Sequence, residues 1–330
     1  MTKSNTILKS TTAVMLVVLF SKVLGFLRQT LVAGVFGSND ATDIYFISSE
    51  FTINVAGAFT TALTTALVTV YIAVSVKEGK KAAGDVASKV LALFLMVAAA
   101  AIVLLDLFAP QVGHLLAPAY GAEQLGSLAS YLRIFSVAFL FSAFQSIYAA
   151  VLNANNIFVP GKLYGVIYNP LVIVSILLLG ERLGISAIVY AYYLANILQI
   201  LYLHLRCRGI YSFRPTLRFR DERLVRVWWL ALPILSNVVM QCNGIVDKAL
   251  CSYLGEGVAS AYTYARTLEQ FVTGTFTATV TMVLLSQFAA FAAQQDTEKI
   301  NAMLKRTVAV LVLLLVPVAV ITVLSSKDIV

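Results

Sequence analysis

The stretch Leu19–Asp43, LFSKVLGFLRQTLVAGVFGSNDATD, places two cations inside an otherwise apolar helix. At helical spacing Ser21, Lys22, Gly25, Arg28 and Gln29 fall within about a third of the circumference, and the other faces are Val, Leu, Phe and Ala. A basic side chain at the centre of a bilayer costs roughly 2.5–3.5 kcal/mol on insertion scales. Two on one stripe are therefore expected to face a wet cavity or acidic partners rather than lipid. Gly25 between them implies close approach of another helix or of a ligand. The blander reading is that each lies near a helix end and snorkels to the headgroups.

The rest of the chain agrees with a membrane setting. Of 330 residues, 60% are hydrophobic and only 12% charged, and the mean hydropathy is +0.87. Soluble domains average about 45–50% apolar and about 25% charged, so the expected fold class is an all-α polytopic membrane protein. The net charge of +8 is no nucleic-acid footprint, because most basic residues fall in loops between apolar runs. Cys207, Cys242 and Cys251 have no metal or disulfide spacing. His114 and His204 lie far apart, and no HExxH, nucleophile elbow or phosphate loop appears. The chain is therefore not expected to be an enzyme, and no cofactor is expected. The apolar run from Ala13 continues into Ser21-Lys22 without a small-residue cleavage site, so the first helix is expected to be retained.

Taken in order, nine membrane helices are expected, over 11–36, 41–76, 87–108, 125–152, 163–179, 185–205, 227–254, 258–293 and 307–324. They group as a six-helix lobe (1–205), an arginine-rich linker (206–226) and a partial second lobe (227–330). The linker holds Arg206, Arg208, Arg214, Arg218, Arg220, Arg223 and Arg226 against Asp221 and Glu222. Such a segment is expected to lie against anionic headgroups. Basic residues concentrate at the N-terminus and in the loops after helices 2, 4, 6 and 8, which puts the N-terminus in the cytoplasm.

A weak internal repeat supports the two lobes. At a shift of 217 residues, NVAGAFTTALTTAL from Asn54 falls without a gap on FVTGTFTATVTMVL from Phe271, and Tyr45 falls on Tyr262. A six-helix unit returns the chain to the same side, so the copies share one orientation about an axis along the membrane normal. Residue 330 then corresponds to residue 113, the end of helix 3. The repeat thus predicts at least three more helices in the parent protein.

Polar residues form stripes on three helices. Helix 2 offers Asp43, Glu50, Asn54, Gly57, Thr61 and Thr64/Thr65. Helix 7 offers Asn237, Gln241, Gly244, Lys248 and Cys251, with Asp247 at the edge. Helix 8 offers Tyr262, Arg266, Gln270, Thr273, Thr277 and Thr281. Most of the threonines are expected to pack helices and bond back to their own backbone. Glu50, Asp247 and Arg266 fit structural ion pairing and a substrate role equally. A central cavity lined by Lys22, Arg28, Lys248 and Arg266 against Glu50, Asp247 and Glu269 leans basic. It suits an anionic headgroup better than a cationic drug, because guanidinium forks and ammonium groups both bind phosphate.

FSKVLGFLRQTLVAGVFGSNDATDIYF resembles the helix 1–2 signature of the MurJ/MviN family of lipid II flippases, within the multidrug and oligosaccharidyl-lipid exporter superfamily. YTYARTLEQFVTGTF resembles that family's helix 8 signature. The resemblance implies a two-lobed transporter of about fourteen helices with a central cationic cavity. It would pass undecaprenyl-pyrophosphate-linked sugar–peptide to the outer leaflet of the bacterial plasma membrane by alternating access. By position, the family's essential basic residues fall on Lys22, Arg28 and Arg266, which would bind the substrate, and its helix 2 acid falls on Asp43. The residues assigned to the cavity and its gating are Asp43, Glu50, Asn54, Asp247, Lys248 and Gln270. A coupling cation or the membrane potential would drive transport. Membrane lipids and cell-wall synthesis enzymes are the further partners implied. Two positions depart from the pattern: Ala56-Gly57 stand where the family often has Arg-Arg, and Gln29 replaces an acid. These departures leave open another lipid-linked oligosaccharide as substrate, or an ion-coupled multidrug exporter of the same fold. A scaffold recruiting cell-wall enzymes through the arginine-rich segment is a further alternative.

Overall fold

The structure, a computed structural model, describes residues 3–214, 221–235, 237–271, 291 and 297–324. Eleven helices are described: α1 (Lys3–Phe36), α2 (Asp40–Glu78), α3 (Lys80–Leu116), α4 (Ala122–Ser136), α5 (Ala138–Ala154), α6 (Tyr164–Leu183), α7 (Ser186–Cys207), α8 (Glu222–Leu235), α9 (Asn237–Ser252), α10 (258–271) and α11 (Thr297–Leu324). Among the described residues, seven helical stretches are long and apolar enough to cross a membrane, and no strand occurs. The expected fourth span is α4 and α5, broken at Val137. The expected seventh is α8 and α9, and most of the eighth lies outside the described residues.

Several expected loops are helical. The loop expected after Phe108 belongs to α3, which runs through Pro110 to Leu116. Proline has no N–H to give to the carbonyl four residues back, so Asp106 O is left without its helical partner. Arg133 Nε of α4 donates to it at 3.2 Å, and the helix continues. Likewise α6 runs to Leu183 rather than ending at Leu179. The basic loop expected over 77–81 shrinks to Gly79, whose φ of 91° only glycine adopts readily.

The chain forms two compact units, 1–260 and 261–330. In the first, α2 packs on α3, α4, α5 and α8, while α1 packs chiefly along α6, which packs on α7. Tyr71, Phe94, Leu128, Leu132, Phe135 and Ile147 are fully buried between α2, α3, α4 and α5. In the second unit, α11 is an apolar helix whose first turns carry Lys299, Lys305 and Arg306.

At the basic end of the first unit, Asp221 ties three elements together. Its carboxylate accepts from Lys89 Nζ of α3 (2.6 Å) and from Arg223 Nε and Nη2 (2.8 Å each), and it caps α8 through Arg223 N–H (3.0 Å). Arg223 Nη1 reaches Glu78 at the end of α2 (2.8 Å). Arg223 therefore binds protein carboxylates, not headgroups, which corrects the expectation for that arginine. Arg206, Arg208, Arg214 and Arg226 are exposed, and Arg218 and Arg220 lie outside the described residues. The Arg223 and Lys89 donors hold the Asp221 carboxyl well below the usual carboxylate range, against a smaller opposing effect of burial.

Two outcomes follow. A depressed folded-state pKa gives stability that is present above the unfolded value and lost as pH falls through the folded one. The Asp221 clasp should therefore hold at neutral pH and loosen only in strong acid. Asp221→Asn should destabilise the junction by about 1–3 kcal/mol, seen as faster amide exchange in the first turn of α8 at pH 7. On α6, a Cβ at Gly165 would collide with Ser21 Oγ of α1, whereas Gly34 has open space around it. Gly165→Val should cost about 1–3 kcal/mol and lower the thermal midpoint, and Gly34→Val should not.

Candidate functional site

The cations of α1 sit where α1 lies against α6. The polar face of α1 turns toward α6, and Leu16, Leu19, Phe20, Val23 and Leu27 face outward. Small residues let the two backbones approach. A Cβ on Gly25 would meet Asn169 Nδ2 at 3.5 Å, and Gly165 abuts Ser21. Asn169 Nδ2 donates to Ser21 O at 3.0 Å. The close approach read from Gly25 is thus to another helix, and it fixes the register of Lys22 and Arg28.

Both cations are half-buried. Arg28 lies over the Tyr168 ring, 5.1 Å from its centroid, and its Nη2 donates to Gln29 Oε1 at 3.1 Å. Among the described residues neither Lys22 nor Arg28 pairs with a carboxylate. Gln29 supplies no charge to offset Arg28, and its buried Nε2 has no hydrogen-bond partner among the described residues. The stripe therefore presents two positive charges and an unused amide donor. Such a set favours a polyanion with several oxygens over a single cation.

A second polar cluster lies at the start of α2. Asp43 is wholly buried. It accepts from Gly257 N–H at 2.8 Å, from Ser260 N–H at 2.6 Å and from the Tyr120 hydroxyl at 3.4 Å. It thereby caps α10 across 217 residues of chain, at the positive end of that helix dipole. Burial first, then the Asp43 and Asp40 charges, push the Tyr120 phenol up, so it remains a donor. Gly257 has φ +82°, and a Cβ there would lie 2.7 Å from Ser38 O. Only glycine lets the loop before α10 press on the turn before α2. Gln124 Nε2 donates to Asp40 at 2.7 Å, and Ser252 Oγ accepts from Ala119 N–H at 3.4 Å.

One turn of α9 before Ser252, Lys248 is 5% exposed. Its Nζ lies 3.3 Å from Glu50 Oε2 and donates to Ala259 O at 3.2 Å. Asp247 is half-buried, and Asn54 is exposed. The structure thus gathers Asp43, Glu50 and Lys248 into one clasp, and holds Lys22 and Arg28 apart on α1–α6. In the other unit, Arg266 and Gln270 are exposed, and Arg266 Nη1 donates to the Tyr262 hydroxyl at 3.4 Å, its Cζ 5.9 Å from the ring centroid. The side chains of Asn237 and Gln241 lie outside the described residues. Thr61 and Thr65 bond back to Gly57 O and Thr61 O of their own helix, as expected of packing threonines.

The sequence reading did not single out Gly165, Tyr168, Asn169, Tyr120 or Gly257. The spacing of Gly165 and Asn169, four apart, was the available signal, since small and amide residues at that interval mark a close helix contact. Tyr120 and Gly257 sit in turns, where no periodicity points to them.

A family model described as lipid II flippase MurJ matches residues 32–330, with Lys22 and Arg28 just ahead of the matched stretch. The probable lipid II flippase MurJ of Borreliella burgdorferi is 24% identical over 318 residues, covering 94% of this chain and 62% of that protein. That of Buchnera aphidicola subsp. Schizaphis graminum is 22% identical over 332 residues, covering 98% and 64%. The chain thus spans a little under two thirds of the length of these curated relatives. Among solved structures, a lipid II flippase MurJ in an inward closed conformation matches with a TM-score of 0.72 at 24% identity, over 89% of this chain and 61% of that one. An inward-facing multidrug resistance MATE family transporter of the MOP superfamily matches with a TM-score of 0.72 at 16% identity, over 93% and 71%. These structural likenesses carry the fold, and the family model, running from the last turn of α1 to residue 330, carries the assignment: the chain belongs to the lipid II flippase MurJ family.

Proposed function

We propose that this chain serves a flippase that carries a polyprenyl-pyrophosphate-linked saccharide, lipid II first among them, from the cytoplasmic to the outer leaflet of a bacterial plasma membrane. The observation that carries the proposal is the pair of half-buried cations on α1, without a carboxylate partner among the described residues, in a chain of this family. Lys22 and Arg28 receive the pyrophosphate. Its oxygens replace the water that otherwise hydrates the two charges. Arg266 is assigned to the same headgroup on the resemblance alone.

The basic end, with Lys77, Lys80 and Arg223, faces the cytoplasm by the positive-inside bias. The Asp43 clasp then lies at the outer end. Its hydrogen bonds close that end, and Glu50 with Lys248 closes it about two turns of α2 deeper. Alternating access requires both to part. A coupling cation or the membrane potential supplies the drive, and cell-wall synthesis enzymes take up the exported substrate.

A second reading, an ion-coupled exporter of cationic compounds, is favoured by the MATE-like fold. It makes Glu50 and Asp247 the substrate ligands. The test is outward exposure of labelled lipid II in cells where this protein is the sole flippase. Arg28→Ala and Arg266→Ala should each lower the rate at least about tenfold, a loss of about 1.4 kcal/mol of transition-state stabilisation. Unchanged exposure would remove them from the mechanism, and drug efflux lost on Glu50→Gln with lipid II export intact would favour the exporter. For the clasp, Glu50→Lys and Lys248→Glu should each slow export, and the double reversal should restore a large part of it. Equal damage in all three variants would deny the pair a gating role.

A further inference from the structure

We propose that Tyr168 is a positioning residue for Arg28: its ring is the platform on which the guanidinium is held ready for an anionic headgroup. The inference rests on the proposed function in its second half, the headgroup, and on geometry alone in its first. Arg28 Cζ lies 5.1 Å from the centroid of the Tyr168 ring, within the range where a cation is attracted to an aromatic face. Gln29 Oε1 engages only Nη2. An attraction between the cation and the ring needs none of the guanidinium's oxygen-directed hydrogen bonds, so the N–H groups other than Nη2 remain for oxygen ligands.

The platform is itself braced. Tyr168 is buried. Its ring stacks on Tyr164 at 5.5 Å with the planes 7° apart, and stands edge-on to Tyr192 at 6.2 Å. The Tyr164 hydroxyl accepts from Asn196 Nδ2 at 3.2 Å, and Asn196 Oδ1 accepts from Gln145 Nε2 at 2.8 Å. Side chains of α5 and α7 thus hold the α6 ring against α1. One residue on, Asn169 locks Ser21 O. Ser21, Gly25 and Arg28 lie along one stripe of α1, and Gly165, Tyr168 and Asn169 along the facing stripe of α6. Helix register and guanidinium position are set by the same edge. This explains how a cation with no carboxylate partner keeps one orientation in an apolar bundle.

The test compares Tyr168→Phe, which keeps the ring, with Tyr168→Leu, which removes it. Arg28 is followed by its rate of modification by phenylglyoxal, read on its own peptide by mass spectrometry. Arg133, bonded to Asp106 O, is the internal reference. Tyr168→Leu should raise the Arg28 rate roughly fivefold, and Tyr168→Phe less than about twofold, with Arg133 unchanged in both. Binding of inorganic pyrophosphate to the detergent-solubilised chain should weaken roughly fivefold in Tyr168→Leu. It should weaken no further when Tyr168→Leu is added to Arg28→Met. An unchanged Arg28 rate in Tyr168→Leu, an equal rise in Tyr168→Phe, a parallel rise at Arg133, or additive losses of binding would each overturn the platform. If the Arg28 rate followed the expected pattern while the unaltered chain bound no pyrophosphate, the platform would stand and the proposed substrate would fall.

Discussion

A cation among hydrocarbon side chains has to be met by water, an acid or an aromatic face. The first compact unit is arranged around that constraint. On α1, Lys22 and Arg28 have no acid beside them among the described residues, so the helix turns its polar face inward and rests it on something that tolerates charge. The edge of α6 supplies this through Gly165, Tyr168 and Asn169. The glycine and the asparagine bring the backbones together, and the Tyr168 ring lies 5.1 Å from the guanidinium carbon. The apolar remainder of α1 is left to face outward. A fold that paired these cations with carboxylates would be easier to stabilise and poorer at holding an anion.

The same rule, with the sign reversed, governs the start of α2. Asp43 is an ionisable carboxyl with no exposure, and it is met by two backbone N–H groups and a phenol. Asp43 and Ser260 are 217 residues apart, the shift of the internal repeat. The contact joins the start of α2 to the start of α10. It also differs in kind from its counterpart. The start of α2 is capped by its own Asn39, with Thr42 completing the capping box, whereas α10 takes its cap from Asp43 of α2. A cap supplied across the molecule can be withdrawn by a movement, while a local one cannot.

Much of this was legible in the residues. Composition and apolar runs gave the fold class, and the stripe of Ser21, Lys22, Gly25, Arg28 and Gln29 gave the inward face of α1. The helix ends were less legible. Pro110 reads as a stop, because the sequence does not reveal that Arg133 will take the carbonyl it leaves free. The loop over 77–81 reads as five polar residues, yet one glycine at positive φ suffices to turn the chain. Arg223 reads as one more headgroup contact until Asp221 and Glu78 are brought to it by folding. Asp43 was legible as an acid at the start of α2, and its partners were not. They are backbone amides more than two hundred residues away, and an amide carries no residue-type signature. Tyr168 was hidden for a similar reason, since an aromatic in an apolar helix is ordinarily core.

The central claim is that the basic face of α1 borders water and its other faces border lipid. The most direct measurement places single cysteines along α1 in a chain whose three native cysteines are replaced by serine, and labels them in intact membranes with a charged, membrane-impermeant thiol reagent. The account predicts labelling at positions 22 and 28 and none at 19, 23 and 27. Protection at 22 and 28 with labelling absent along the whole helix, or labelling confined to the outward face, would contradict it.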